Sequence, residues 1–330
     1  MIGVHITIDT EFSAGGYFSN PDTCVPVTDQ AVFCNVDGRS HGLGFLLQTF
    51  AEFRIRGTFF IEAAHTLMLG SDPMRPAVDA ILAAGHDVQL HIHPMWLAAE
   101  GGRRPIAPVA DSIGSLDEDT CKRLIECGQK AFRTWGAPAP LAFRAGNLDM
   151  GRAAYRALKA CGIRISSSIG IAIHAPSDAG LWIESGRRRI EGVMEIPVLA
   201  YADLTLGDRR HMKNLTVTGC GSREVCAVLR AAETRGLEDA VLLTHPFEFI
   251  KQSRFRPSRL TGNRINQHRL QHLCQFLASS DGTFRSATFA DMAERWLQHD
   301  AESGLPLFVP FSAALMRVIE NKLNDAIWWY

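Results

Sequence analysis

Much that would announce a function is missing from this chain of 330 residues. No Gly-x-Ser-x-Gly elbow surrounds Ser166-Ser167-Ser168, which argues against serine nucleophile chemistry. A glycine-rich phosphate loop is absent too, because Gly219-Cys220-Gly221 lacks the flanking pattern. With a formal net charge of −1, the chain offers no basic footprint to nucleic acid or to an anionic membrane. No apolar run is long enough to span a bilayer, and the N-terminus enters a strand without a signal peptide. None of the eight cysteines belongs to a Cys-x-x-Cys pair. They read as reduced, buried thiols, and the expected address is cytoplasmic; only Cys24 and Cys34, which share a loop, could pair in an oxidising compartment. Internal repeats and low-complexity linkers are lacking as well.

What is present is an ordinary globular composition, 46% apolar and 21% charged. Strands alternate with helices along it. Val4 to Asp9 reads as a strand, Leu43 to Phe53 as a helix, and Gly57 to Ile61 as a buried strand. A helix over Pro76 to Ala84 stops at Gly85, and the strand that follows ends at Pro94. Ser115-Leu116-Asp117-Glu118 reads as a capping box that opens a helix to Trp135. Strands are expected at Leu141–Arg144, Ile163–Ser167, Val193–Pro197, Ala240–His245 and Phe284–Thr288. Helices are expected at Asp149–Cys161, Glu224–Arg235, Arg264–Ala278 and Ala290–Gln298. Most of the strands are continuous apolar runs, the mark of a parallel sheet covered on both faces. Two long loops, 12–40 and 97–114, interrupt the pattern, and loops of that length in a compact domain are usually functional. The amphipathic stretch Phe311 to Ile327 is expected to pack its apolar face on the rest of the fold.

The polar residues gather at the strand C-termini, the edge that carries active sites in barrels and open α/β folds. Asp9 and Glu11 close the first strand. His91 and His93 lie two apart and so project to the same side of theirs. Arg144 and His245 end two more. A metal hydrolase needs nitrogen and oxygen ligands, a base, an acid and a group that orients the base. Either Asp9 or Glu11 can join His91 and His93 in a His₂-carboxylate site, leaving the other carboxylate as the base, Arg144 to pair with it and His245 as the acid. Trp96 and Asn147 are the candidate substrate contacts, with Trp96 reading equally as a wall for a sugar ring or as core. His86 reads as structural, and His268 with His272 as a solvated helix face, since no His-Glu-x-x-His pattern accompanies them.

In order and context these residues resemble the NodB-homology polysaccharide deacetylases, carbohydrate esterase family four. Thr7-Ile8-Asp9-Thr10-Glu11 resembles the first motif, Thr-Phe-Asp-Asp, and Gly57-Thr58-Phe59-Phe60 the Ala-Thr-Phe-Phe strand after it. Gly85-His86-Asp87-Val88-Gln89-Leu90-His91 resembles the second motif, Gly-His-Glu-Ile-x-x-His. Phe143-Arg144-Ala145-Gly146 resembles Phe-Arg-x-Pro-x-Gly, and Leu242-Leu243-Thr244-His245 the final Leu-x-x-His. The resemblance runs from about Ile2 to Trp296.

It implies a distorted, TIM-like (β/α)₇ barrel over residues 1–300 with a C-terminal tail at 301–330. It also implies metal-dependent removal of an acetyl group from an amino sugar or glycan precursor. Asp9 would be the base, Arg144 its partner, His91 a ligand and His245 the acid. Zinc is the favoured metal, with iron, cobalt or manganese as alternatives. Three departures stand out. Thr10 replaces the second Asp of motif one, Met95 stands where a second histidine ligand is usual, and the motif-three proline is missing. Glu11 and His93 are the natural replacements. Two other readings follow from the same residues: an allantoinase-like amidohydrolase acting on a non-sugar amide, and a non-catalytic glycan-binding relative with a degraded site.

Overall fold

The computed structural model of the chain describes residues 1–106, 109–207, 209–252, 260–299 and 302–326. Ten strands form the main sheet: β1 (Ile2–Thr10), β2 (Thr58–Glu62), β3 (Asp87–Ile92), β4 (Ala142–Ala145), β5 (Ile165–Ser166), β6 (Gly186–Ile190), β7 (Val193–Glu195), β8 (Asp239–Thr244), β9 (Phe284–Ser286) and β10 (Glu302–Ser303). Their order is β8-β1-β2-β3-β4-β5-β7-β6-β10, with β9 beside the start of β1. Pairing from β8 through β7 is parallel, and β6 and β10 turn antiparallel at the far edge. The sheet curls until the segment after β7 meets β8. Isolated parallel bridges Val198–Val241 and Thr216–Leu243 close it there. The result is a distorted (β/α) barrel with one weak seam.

Both faces of the strands are buried, which explains their continuous apolar runs. On β1, Val4, Ile6 and Ile8 are wholly buried, and so are His5 and Thr7 on the opposite face. The outer layer packs on helices α1 (Leu43–Phe53), α2 (Arg75–Ala83), α3 (Glu118–Trp135), α4 (Arg152–Ala160), α5 (Ser222–Thr234) and α6 (Arg264–Ala278). Inside the barrel sits a smaller cluster of Phe60, Ile165, Met194, Val241 and Leu243. Helix α7 (Phe289–Gln298) plugs this interior with Phe289 and Trp296 at the strand N-terminal end. His5 meets Asp239 there at 2.9 Å, and Asp239 also accepts from Trp296 and Arg187. That end is sealed, so the open end is the one bearing the strand C-termini.

Local physics moved several boundaries. The cap of α3 is Asp117, whose carboxylate accepts the Thr120 N–H at 2.7 Å, not Ser115. The carboxylate sits one residue before the helix, where an N-cap acceptor can reach an unpaired amide. The strand expected at Ile163–Ser167 is only Ile165–Ser166. A hairpin, Ala200–Leu206 with Arg209–Asn214, was not legible because its exposed tip lacks a buried-strand pattern. Helix α8 (Phe311–Ala326) lies against α5, but its polar side faces the barrel. Arg317 reaches Asp203 at 2.7 Å and pairs with Glu224, whereas Leu315, Met316, Val318 and Ile319 are exposed. Among the described side chains the tail thus meets the fold through its arginine, which the buried carboxylates claim.

His86 fills the structural role read from the sequence. Its Nδ1 accepts the Gly57 N–H at 3.2 Å between Phe50 and Phe59. Burial, helped by the charge of Arg56, depresses its pKa from 6.5 to about 4. A depressed histidine favours the neutral form in the folded state, so its contribution is full above pH 6.5 and is lost as pH falls towards 4. Urea unfolding of His86→Gln is therefore expected to show a shallower loss of stability across that window than the unsubstituted protein. Parallel curves would show that another group drives the acid sensitivity.

Candidate active site

Four strand ends converge at the open end of the barrel. His91 lies on β3 and His93 follows it in extended conformation, so the two-residue repeat holds and both imidazoles point the same way. Their rings lie 4.9 Å apart. The Nδ1–H of His91 donates to the Arg144 carbonyl at 3.0 Å, and that of His93 to the Asp111 carboxylate at 2.6 Å. A carbonyl or carboxylate only accepts, so each ring carries a proton on Nδ1 and turns Nε2 inward. Both Nε2 atoms meet one oxygen of Glu11, at 3.1 Å from His91 and 2.7 Å from His93. Two lone pairs and a carboxylate oxygen repel at that range unless a proton or a cation lies between them.

The donors Glu11, His91 and His93 fall within 4.8 Å of one another. Their chemistry, two imidazoles fixed through their other nitrogens and one carboxylate, fits a divalent cation. Without one, a proton takes its place. Burial opposes charge on His93, but Glu11 and Asp111 carry its pKa well above 6.5. Burial likewise works against a charged Glu11, and the two imidazoles draw its pKa well below the usual carboxylate value.

Beside this triad stand two supported groups. Asp9 is buried, and its Oδ1 accepts from Arg144 at 2.8 Å. Arg144 is itself wholly buried and lies 4.2 Å over the Phe60 ring. Its remaining donors go to Thr7 Oγ1, the Ser167 carbonyl and Ser167 Oγ. His245 Nε2 lies 4.0 Å from the other oxygen of Asp9, and its Nδ1 bonds Glu248 at 3.2 Å. Burial opposes a charged His245, yet the Glu248 hydrogen bond and charge, with Glu11 and Asp9, raise it to about 9. Asp9, Glu11, His91, His93 and His245 share a cleft of about 150 Å³ with Asn147, Leu148, Ile173 and Leu243, and Arg144 lies buried behind Asp9. A hollow of about 600 Å³ adjoins it through Glu11 and His93, walled by Phe12, Val27, Met95 and Phe247 among others.

Seven of the eight residues picked from the sequence therefore meet in one place, and Trp96 does not. It is fully buried, packed 5.3 Å from Phe18 and 6.4 Å from His65. Its indole belongs to the core because the chain turns inward at Pro94. Three carboxylates escaped the sequence reading. Glu248 follows His245 by three residues, a capping-box position visible in His-Pro-Phe-Glu. Glu62 ends β2 as Asp9 and Glu11 end β1; it accepts from the amides of Ala64, His65 and His93. Asp111 sits in a loop with no periodicity, and nothing near it in sequence marks it; Asn147 Nδ2 holds it at 2.8 Å.

Two of the motif departures are one structural change. Gly146 occupies the place of the motif-three proline, and a Cβ there would meet His93 Nδ1 at 2.5 Å. The His93 ring fills the space that a proline ring would need.

No protein-family model matches the chain, and no curated protein matches it in sequence. Among solved structures, it is similar to a Mycobacterium smegmatis protein assigned as a polysaccharide deacetylase, at 17% identity and a TM-score of 0.50, over 91% of this chain and 94% of that one. A family 4 carbohydrate esterase from Streptomyces lividans, in complex with acetate, matches at 12% identity and a TM-score of 0.44, over 92% and 97%. A family 4 acetyl xylan esterase from Clostridium thermocellum, in complex with a cobalt ion, matches at 12% and 0.43, over 88% and 90%. The fold is that of the deacetylase barrel, as the motifs implied, in a divergent form.

Asp111→Asn is expected to weaken uptake of a divalent ion by about 10- to 100-fold, measured by competition with a chromophoric chelator. His91→Ala should abolish it. Equal affinity in the Asp111 variant would mean that its hydrogen bond does not orient His93.

Proposed function

We propose that the protein is a divalent-metal hydrolase that removes an acetyl group from an amino sugar or glycan precursor. One observation carries the reading: a carboxylate paired with a cation and an imidazole paired with a carboxylate flank the convergent Glu11, His91 and His93. Paired carboxyl and imidazole groups with opposite supports are the arrangement of a base and an acid working in one turnover. The roles follow from position. Asp9, held by Arg144, takes the proton of the attacking water. His245, kept charged by Glu248, gives a proton to the departing nitrogen or oxygen. Glu11, His91 and His93 would hold the cation, which supplies a positive charge at the acyl oxygen and makes water easier to ionise. Zinc is the favoured ion, with iron, cobalt and manganese also suited to a carboxylate-containing set. The small cleft takes the acetyl group, and Asn147 at its rim and Phe247 in the adjoining hollow are placed to meet a sugar ring.

A second reading has its own support. Among the described residues no Phe, Tyr or Trp lines the reaction cleft, and about 150 Å³ is too small for a sugar ring. A compact non-sugar amide would fit it without using the hollow. Turnover of N-acetylglucosamine oligomers against a panel of small cyclic amides separates the two.

Asp9→Asn is expected to retain the metal but lose about 10²- to 10⁴-fold in kcat. Full turnover by chelator-treated protein would sink the metal-dependent reading. The acid form of His245 is lost as pH rises through its raised pKa, so activity should fall on that side. Glu248→Gln removes the group that raises it, and the alkaline limb of the kcat profile should move to lower pH. An unmoved limb would assign the acid to another residue.

A further inference from the structure

The hollow beside the reaction cleft has a wall of one chemical kind. Of its thirteen described lining residues eight are apolar, and the only charged ones are Glu11 and His93, which it shares with the cleft. Two matching turns build part of that wall. His93-Pro94-Met95 and His245-Pro246-Phe247 each leave a strand end through a proline that opens a 3₁₀ turn. The third residue of each, Met95 or Phe247, lines the hollow. Phe247 also stacks on His245, with ring centroids 4.9 Å apart. The long loop 12–40 supplies another part. Ser13 and Val27 exchange both backbone hydrogen bonds, at 3.0 and 2.8 Å, and so fix the stretch that brings Phe12 and Val27 to the wall. Ile250 and Leu260, from the paired segments Ile250–Gln252 and Leu260–Gly262, add to the apolar set.

The neutral polar side chains in this wall are Ser13, Gln30 and Gln252. Ser13 Oγ already accepts the Gly15 N–H at 3.2 Å, and Gln30 Nε2 donates to the Asn35 carbonyl at 3.1 Å. A run of sugar rings would carry hydroxyls against such a wall, and a hydroxyl buried without a partner costs binding. An apolar body forfeits no hydrogen bond there and gains by leaving water. The volume, about 600 Å³, is that of a ligand pocket rather than a packing defect. Its occupant is part of the substrate, because the hollow opens on two of the three residues suited to hold the cation. The departing group takes its proton from His245, and Phe247 stacks on that ring, so the hollow serves the departing side of the substrate.

We infer that the substrate is amphiphilic: the amine or alcohol freed from its acetyl group carries an apolar body, an alkyl chain or an aryl ring, that fills this hollow. This rests on the hydrolase reading and narrows its substrate class to acetylated sugars joined to an apolar group. Polymers of sugar alone lack that group.

The test is a series of β-glycosides of N-acetylglucosamine with methyl, butyl, octyl and phenyl aglycones, each below its micelle-forming concentration. Affinity for the full chain is measured by titration calorimetry, and kcat/KM by acetate release with a divalent ion added. Both are expected to rise about two- to fourfold per methylene, reaching about 100-fold or more from methyl to octyl. Val27→Asp and Leu260→Asp each put a charge in the wall, and each is expected to cut the octyl-to-methyl ratio about tenfold or more. The ratio is internal to each variant, so a partly unfolded preparation does not mimic the effect. Equal affinities for the methyl, octyl and phenyl glycosides overturn the inference, as does an octyl-to-methyl ratio unchanged in both variants. Graded binding without acetate release from any glycoside keeps the apolar site and removes the hydrolase reading instead. Acetate release at equal kcat/KM across the series does the opposite.

Discussion

The site hangs on one buried guanidinium. Arg144 has no exposed surface, and its guanidinium makes four hydrogen bonds: to the end of β1 through Thr7 and Asp9, and to the segment after β5 through Ser167. A buried charge is costly unless it is paired and fully hydrogen-bonded, and removing one partner leaves the other stranded. The strand ends must therefore stay in register with Arg144. Glu195, wholly buried, extends the same constraint by accepting the amides of Ser168 and Ile169. Arg144 also gives its own carbonyl to His91, so one residue orients the base on one side and a candidate ligand on the other. Chemistry and scaffold share these bonds.

The barrel's two ends express one rule in opposite ways. At the strand N-termini, Asp239, His5, Arg187 and Trp296 satisfy one another under α7, and little polar capacity is left over. At the C-termini, Glu11 and the two imidazoles satisfy one another only with a proton or a cation between them. The first arrangement is closed; the second has room for a guest. The distinction lies in hydrogen-bond arithmetic rather than in residue type, since both ends use carboxylates, histidines and arginines.

The fold was legible because burial on both faces writes continuous apolar runs into the sequence, as in Phe59 to Ile61 and Ala240 to Leu243. The two-residue repeat placed His91 and His93 together for the same reason that it places any strand neighbours together. Asp111 was not legible because a loop carries no period, and its use depends on where 18 residues of irregular chain return. Trp96 stayed open between two readings because an aromatic after a proline reads alike whether it faces solvent or core. Helix α8 misled in a more instructive way: amphipathicity gives two faces but does not say which is inside, and buried carboxylates elsewhere in the chain decided it.

The contact between His93 and Gly146 has an evolutionary consequence. The two positions are 53 residues apart, yet they are coupled: a side chain at 146 would displace the imidazole, so a glycine is required there for as long as His93 keeps its place. A change at position 146 must therefore be accompanied by loss or movement of the His93 ring.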